Sequence, residues 1–285
     1  MFIQGLNGLQ LGVMLFMMAA GLTLVFGVMN MMNLAHGSLY MLGAYLAASF
    51  QRYTESFLLA LAPAIVLTII IGMVIEVIVL RRLYDRDHLD QVLATFALIL
   101  FFNELARIVW GPQALFMALP DQLSGHIEIL PGVIYPVYRL LIIGVGLFVA
   151  VFLYFLIMRT RLGMLIRAGA SNREMVNALG VNIKLLYTVL FGIGAALAGL
   201  AGMMAGPILS IEVGMGEPVL ILTLVVIVIG GIGSIRGAFI AAILVGMADT
   251  FGRVLLPPAL ASMVIYILMA AVLFWRPQGL FPVHG

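Results

Sequence analysis

The sequence predicts an all-α polytopic membrane protein of about eight to nine transmembrane helices, some of them broken, with one short helix in a cytoplasmic loop. Three observations carry that prediction. First, 64% of the 285 residues are hydrophobic and only 9% are charged, against roughly 25% charged in soluble domains. Second, several apolar runs reach the roughly 20 residues that a helix needs to cross a hydrocarbon core of about 30 Å. Third, Lys and Arg collect in a few polar connectors, which is how membrane proteins record orientation.

Nine apolar segments follow in order: roughly 9–28, 34–50, 57–80, 92–110, 138–158, 185–205, 219–235, 237–255 and 259–275. The second and eighth are glycine-broken and somewhat short. The N-terminal Met1-Phe2-Ile3-Gln4 has no basic region of the kind that precedes a cleaved signal, so the first run is expected to stay as a span. Arg81, Arg82 and Arg86 mark one cytoplasmic connector, and 159–184 marks another. Segments 111–136 and 206–218 contain no Lys or Arg and carry Asp121, Glu128, Glu212 and Glu217, so both read as outside. Arg276 puts the C-terminal end inside, and nine crossings then leave the N-terminus outside; one re-entrant segment would make eight. The proline-punctuated outer segment 111–136 is long enough to have structure of its own. One membrane domain spanning 1–285, with its cytoplasmic loop at about 159–184, is the simplest organisation.

Composition excludes several functions. Without cysteine there is no disulfide, thiolate metal site or thiol nucleophile. His36, His88, His126 and His284 fall in separate segments, so neither a metal centre nor a histidine-based active site is expected. The single lysine, Lys184, follows Ile183, and no phosphate-binding G-x-x-x-x-G-K-[ST] sequence exists. No basic cluster with interleaved aromatics suits nucleic acid. No cofactor is implied.

Packing is legible in 192–206, where Gly194, Ala198, Gly202 and Gly206 recur every four residues. Such a ladder lets a neighbouring backbone approach closely within lipid. Charges at bilayer depth usually pair or face a cavity. Glu104 with Arg107, and Asp249 with Arg253, have the spacing of helical ion pairs, while Glu76 has no neighbour closer than Arg81 or Arg82.

Three segments are candidates for function. Around Asn33, His36, Gly37, Tyr40 and Gly43, polar and small residues interrupt an apolar region. Asparagines favour breaks and caps, and transporters place discontinuous helices at binding sites; the competing reading ties this helix start to a neighbouring loop. Gly230, Gly231 and Gly233 resemble a phosphate-binding loop, but they join two apolar runs with no surrounding βαβ unit. A tight turn or helix break at the membrane face fits better. The third is the cationic stretch 159–184, where Arg159, Arg161, Arg167, Arg173 and Lys184 face a single acid, Glu174. Within it Ser171, Asn172, Arg173, Glu174, Met175, Val176, Asn177, Ala178, Leu179 and Gly180 spell a short helix. Ser171 and Glu174 have capping-box spacing, and Gly180 sits at the left-handed C-terminal position. Met175, Val176 and Leu179 share one face. A helix of about eight residues, roughly 12 Å long, is unstable alone and must dock, either on its own membrane domain or on a cytoplasmic partner.

The residues Phe26-Gly27-Val28-Met29 running into Asn33-Leu34-Ala35-His36-Gly37-Ser38-Leu39-Tyr40-Met41-Leu42-Gly43-Ala44-Tyr45 resemble the N-terminal signature of LivH-type permeases of branched-chain amino-acid ABC importers. Arg167-Ala168, Ala178-Leu179-Gly180, the 230–237 glycine segment and the closing Arg276-Pro277-Gln278-Gly279-Leu280-Phe281 resemble later motifs of that family, so the similarity spans essentially the whole chain. In such permeases the ATPase-docking loop follows E-A-A-x-x-x-G. Glu174 and Gly180 match its ends, whereas Met175 and Val176 replace the alanines. The resemblance implies a permease subunit in a bacterial inner membrane that imports leucine, isoleucine and valine by alternating access. It implies a second homologous permease chain, two cytoplasmic ABC ATPase subunits and a periplasmic amino-acid-binding protein as partners, with residues 171–180 as the coupling helix. Relatives of the same fold that carry urea, short amides or other amino acids are the alternative, followed by an ion-coupled secondary transporter.

Overall fold

The computed structural model describes residues 1–281; His284 lies outside them. Every predicted apolar segment is helical: α1 (Phe2–Met29), α2 (His36–Thr54), α3 (Phe57–Ile78), α4 (His88–Trp110), α5 (Val137–Arg159), then, past two short inner helices α6 (Arg161–Ser171) and α7 (Arg173–Ala178), α8 (Ile183–Ala205), α9 (Gly216–Gly230), α10 (Ile235–Leu255) and, after the single turn α11 (Pro258–Ala261), α12 (Val264–Trp275). Six of them, α1, α3, α4, α5, α8 and α10, are long and apolar enough to cross a membrane. The last predicted segment is divided by the turn at α11, which leaves α12 only 12 residues long. The eighth segment, expected to be weak, is the uninterrupted 21-residue α10. The seventh is the one that is shortened. There α9 has 15 residues, about 22 Å of helix, and is preceded by the non-helical stretch 206–215.

Contacts sort the helix ends onto two opposite faces. The outer connector folds into an antiparallel hairpin, β1 (His126–Leu130) with β2 (Val133–Pro136), so 111–136 does carry structure of its own. Tyr135 Oη and Arg139 both donate to Asn7 Oδ1 at 3.1 and 2.7 Å, fixing the start of α1 to the outer face. Nearby, Leu115 and Ile211 exchange two backbone hydrogen bonds, which ties the hairpin connector to the stretch before α9. At the opposite face Met29 and Asn30 share a cleft with Tyr84, Asp85 and Gly169, beside the arginine-rich connectors. The start of α1 thus lies on the hairpin face, and the closing 276–281 segment, bonded to Ile229 and Gly230 beside the Gly27–Gly233 contact, lies on the opposite face; the names outer and inner for these faces follow the charge pattern of the connectors.

The helix order contains an upside-down repetition. A long helix, a non-helical stretch, a shorter helix and a long helix occur once as α1, 30–35, α2, α3, and again as α8, 206–215, α9, α10. The packing obeys the same exchange: α1 lies on α10 as α8 lies on α3, and α2 lies on α8 as α9 lies on α1. Glycine seams make these approaches possible. A Cβ on Gly12 would sit 2.9 Å from Ala242 O, and one on Gly43 would sit 2.5 Å from Gly199 Cα. The small-residue ladder of α8 therefore serves helix packing, and Gly202 lies directly against the Tyr40 carbonyl.

Candidate functional site

The first break is built by asparagine. Asn30 closes α1 in the left-handed conformation at φ 51°, its N–H donating to Phe26 O. Asn33 Oδ1 then accepts from Ala35 N at 3.1 Å, a local turn that leaves residues 30–35 non-helical. The chain rises from the inner end of α1 to its middle, where the fully buried His36 places Nε2 3.2 Å from Met18 O. Helix α2 starts there and runs outward, ending where Gln51 Nε2 donates to Ala118 O of the hairpin connector.

The second break meets the first. An ideal Cβ on either Gly37 or Gly216 would run into the other's carbonyl oxygen, so the N-terminal turns of α2 and α9 abut near mid-depth. From that junction α2 runs outward and α9 inward. The non-helical chain that reaches α9 from the outer face is pinned by Leu115 and by a Gly214 N–H contact to Met41 Sδ at 3.4 Å. Glu217 is therefore no outer-loop residue, contrary to expectation. It stands in the first turn of α9 and accepts from Asn103 Nδ2 of α4 at 2.6 Å. Polar atoms are stranded here. Of seven buried side-chain polar atoms without a hydrogen-bond partner among the described residues, three, Asn33 Nδ2, His36 Nδ1 and Ser38 Oγ, fall within residues 33–38. Buried polar groups are nearly always paired, so this clustering makes residues 33–38 the candidate site.

The predicted residues of this region separate into groups. Asn33, His36 and Gly37 form the break, whereas Tyr40 and Gly43 lie on the seam between α2 and α8. Gly230, Gly231 and Gly233 are elsewhere, at the inner end of α9. Gly231 and Gly233 have φ 99° and 82°, and Leu280 and Phe281 donate backbone hydrogen bonds to Ile229 O and Gly230 O. They form the tight turn that receives the closing 276–281 segment. Glu217 and Ser38 were not singled out by sequence. The available signal was the pattern Gly214-x-Gly216-Glu217-Pro218 before an apolar run, which mirrors the first break.

The inner face carries the second arrangement. Thr160 caps α6 by accepting from Gly163 N at 3.1 Å, and Arg167 donates to Ile157 O, folding α6 back on α5. Helix α7 has six residues rather than about eight. Its cap is Asn172, whose Oδ1 accepts from Met175 N at 2.9 Å; Ser171 ends α6 instead, so no capping box forms with Glu174. The two helices share the loop, and because Ser171 is taken up as the last residue of α6, the amide side chain of the next residue takes the capping position. Gly180 does turn left-handed, at φ 85°. Of Ser171 through Gly180 only Val176 is buried; Met175 and Leu179 are 59% and 77% exposed. They are four residues apart and form an apolar ridge aimed away from the protein.

Between these arrangements sits a polar node. Glu76, fully buried, accepts from Arg81 Nε and Nη2 at 3.2 and 2.9 Å, from Tyr84 Oη at 2.7 Å and from Thr188 Oγ1 at 2.6 Å. Burial, and then its bond to Glu76, push the Tyr84 phenol well above its ordinary range, so Tyr84 acts as a neutral donor. The node fastens α3 to α8 beside a cleft of about 770 Å³ whose far wall includes Arg173, Glu174 and Gly180. The two other sequence pairs also form, Arg107–Glu104 at 3.0 Å and Arg253–Asp249 at 2.8 Å. Among the described residues no group of three or more His, Asp or Glu is placed to hold a metal ion.

The sequence profile of the family described as "Branched-chain amino acid transport system / permease component" matches residues 5–273. The chain belongs to this permease family. It is 31% identical to the high-affinity branched-chain amino acid transport system permease protein BraD of Pseudomonas aeruginosa, over 97% of this chain and 94% of that protein. Identity to LivH of Escherichia coli is 28% over the same shares. The probable LivH of Methanocaldococcus jannaschii is 27% identical over 94% of this chain and 88% of its own length. No solved structure matches the chain. The permease is thus a multi-pass membrane protein of an amino-acid transport family.

Proposed function

We propose that this permease is the transmembrane subunit of an ATP-driven ABC importer for leucine, isoleucine and valine in a bacterial inner membrane. The observation that carries the reading is the α7 ridge. Met175 and Leu179 project from a capped helix at the inner face, and the sequence contains no phosphate-binding lysine loop. A six-residue helix with outward apolar side chains suits a groove on a second protein, and the cargo named for its relatives supplies the substrate class. In this reading two cytoplasmic ATPase subunits grip residues 171–180 of this chain and of a second homologous permease, and a periplasmic binding protein delivers the amino acid. ATP-driven closure of the ATPase pair moves α7, the Glu76–Arg81–Thr188 node passes the displacement to α3 and α8, and the α2/α9 junction changes the side to which it opens. This is coupling through packed elements with two discrete arrangements.

Reconstitution tests it. Proteoliposomes containing the two permease chains and the ATPase are supplied with binding protein outside and ATP inside. Leucine uptake that requires ATP and persists without any ion gradient is the expected result. Uptake driven by an ion gradient alone, or uptake of urea in place of leucine, contradicts it.

A further inference from the structure

The α2/α9 junction has a chemical character that points beyond a hinge. Two helices of 19 and 15 residues bring their N-termini together, and each helix N-terminus is equivalent to roughly half a positive charge. Ser38, in the first turn of α2, is 4% exposed. Its Oγ has no hydrogen-bond partner among the described residues and lines a recess shared with Gly37, Asn103, Gly216 and Glu217. The recess has room for about one water molecule.

One wall of the recess reaches the protein surface at membrane depth. Glu217 is exposed there, held by Asn103, and Glu104 and Arg107 stand exposed on the next turn of α4. Elsewhere the exposed surfaces of α3 and α5 are apolar, as lipid requires. Asn103 lies seven residues before Trp110, about 10 Å below the outer end of α4, where a charged side chain facing hydrocarbon costs roughly 2.5–3.5 kcal/mol or more. Glu104 and Arg107 meet that cost by pairing at 3.0 Å, whereas Glu217 is held by the neutral amide of Asn103; in the importer proposed above this side faces the second permease chain.

We propose that Ser38, the N-terminal turns of α2 and α9, and Glu217 form a station for the zwitterionic head of the transported amino acid. This deepens the reading of function above and rests on it. The substrate carboxylate lies against the helix N-termini and accepts a hydrogen bond from Ser38 Oγ; the ammonium group pairs with Glu217, which Asn103 orients. The apolar side chain lies along Leu34, Met41 and Leu220, which line the same recess. Because the opposing charges of an α-amino acid are one carbon apart, the site selects it over a neutral amide, which would leave Glu217 without a counter-charge.

The test uses the complete reconstituted importer. Ser38→Ala removes only the hydroxyl oxygen, Glu217→Gln keeps size but not charge, and Glu217→Asp keeps charge. Leucine uptake is expected to fall by at least about tenfold in Ser38→Ala and in Glu217→Gln, the scale of a lost contact to a charged group. Glu217→Asp is expected to retain more uptake than Glu217→Gln, and ATPase co-purification is expected to stay at the wild-type level in all three. Wild-type uptake in both Ser38→Ala and Glu217→Gln, or equal loss in Glu217→Asp and Glu217→Gln, overturns the station while leaving the importer reading intact. A wild-type importer that does not move leucine overturns the importer reading, and the station with it.

Discussion

The α2/α9 junction and the α7 ridge are incomplete in opposite ways. At the junction, polar atoms are buried without partners among the described residues: Asn33 Nδ2, His36 Nδ1 and Ser38 Oγ. At the ridge, apolar side chains are exposed without partners: Met175 and Leu179. The first kind of deficit is filled by something small and polar, water or a solute. The second is filled by something large with an apolar groove. Glycine also serves the two regions differently. Gly216 is required by space, since any side chain there meets the Gly37 backbone, whereas nothing lies within 4 Å of a Cβ on Gly180, whose φ of 85° is the constraint. In the proposed importer one region serves a molecule that passes, the other a protein that stays.

Substitutions can pull the two apart. The largest effect is expected from the link between them. Arg81→Ala leaves the buried Glu76 carboxylate without its counter-charge and should lower stability by about 3 kcal/mol, read as a drop in melting temperature of the purified complex together with lost uptake. Charging the ridge, with Met175→Asp and Leu179→Asp together, should weaken ATPase association by about 2 kcal/mol or more, the scale of interface hot spots. Co-purification reads the loss, and it should leave the fold of the membrane region unchanged. Gly216→Ala should reverse that pattern: overpacking of about 1–3 kcal/mol at the junction reduces uptake while ATPase binding persists. The smallest effect lies in the caps. Asn172→Ala should cost about 1 kcal/mol of α7 order, seen as roughly fivefold weaker ATPase binding, while Ser171→Ala should stay within about 0.5 kcal/mol. Equal effects of the two would restore the capping box that the sequence suggests.

That last pair shows what the sequence makes legible and what it does not. Nine helices were readable because apolar runs of helical length need no tertiary information. The Glu104–Arg107 and Asp249–Arg253 pairs were equally readable, being set by helical periodicity. The short inner helix was also visible, with its left-handed Gly180, but Ser171 and Asn172 are both good caps, and only the end of α6 decides between them. The second break was hidden for a different reason. Residues 219–235 look like an ordinary apolar run, and the start of α9 at mid-depth depends on Gly216 meeting Gly37, a contact 179 positions away in the chain. Glu217 was assigned to the outer loop on charge alone, because its partner Asn103 belongs to another helix. Around Glu76 the sequence offered Arg81, five residues on, but not Tyr84, which the turn after α3 brings back, nor Thr188, which belongs to α8.

The central claim is that the junction changes sides when the ridge is driven, and the absence of cysteine makes this chain a ready background for testing it. A single Ser38→Cys substitution in the reconstituted importer is treated with a membrane-impermeant maleimide applied to one face at a time, first without nucleotide and then with ATP trapped. Labelling should come from one face in the first state and from the opposite face in the second, and the change should vanish when Met175→Asp and Leu179→Asp are added. Labelling from the same face in both states, or a change of side that survives the altered ridge, would contradict the account.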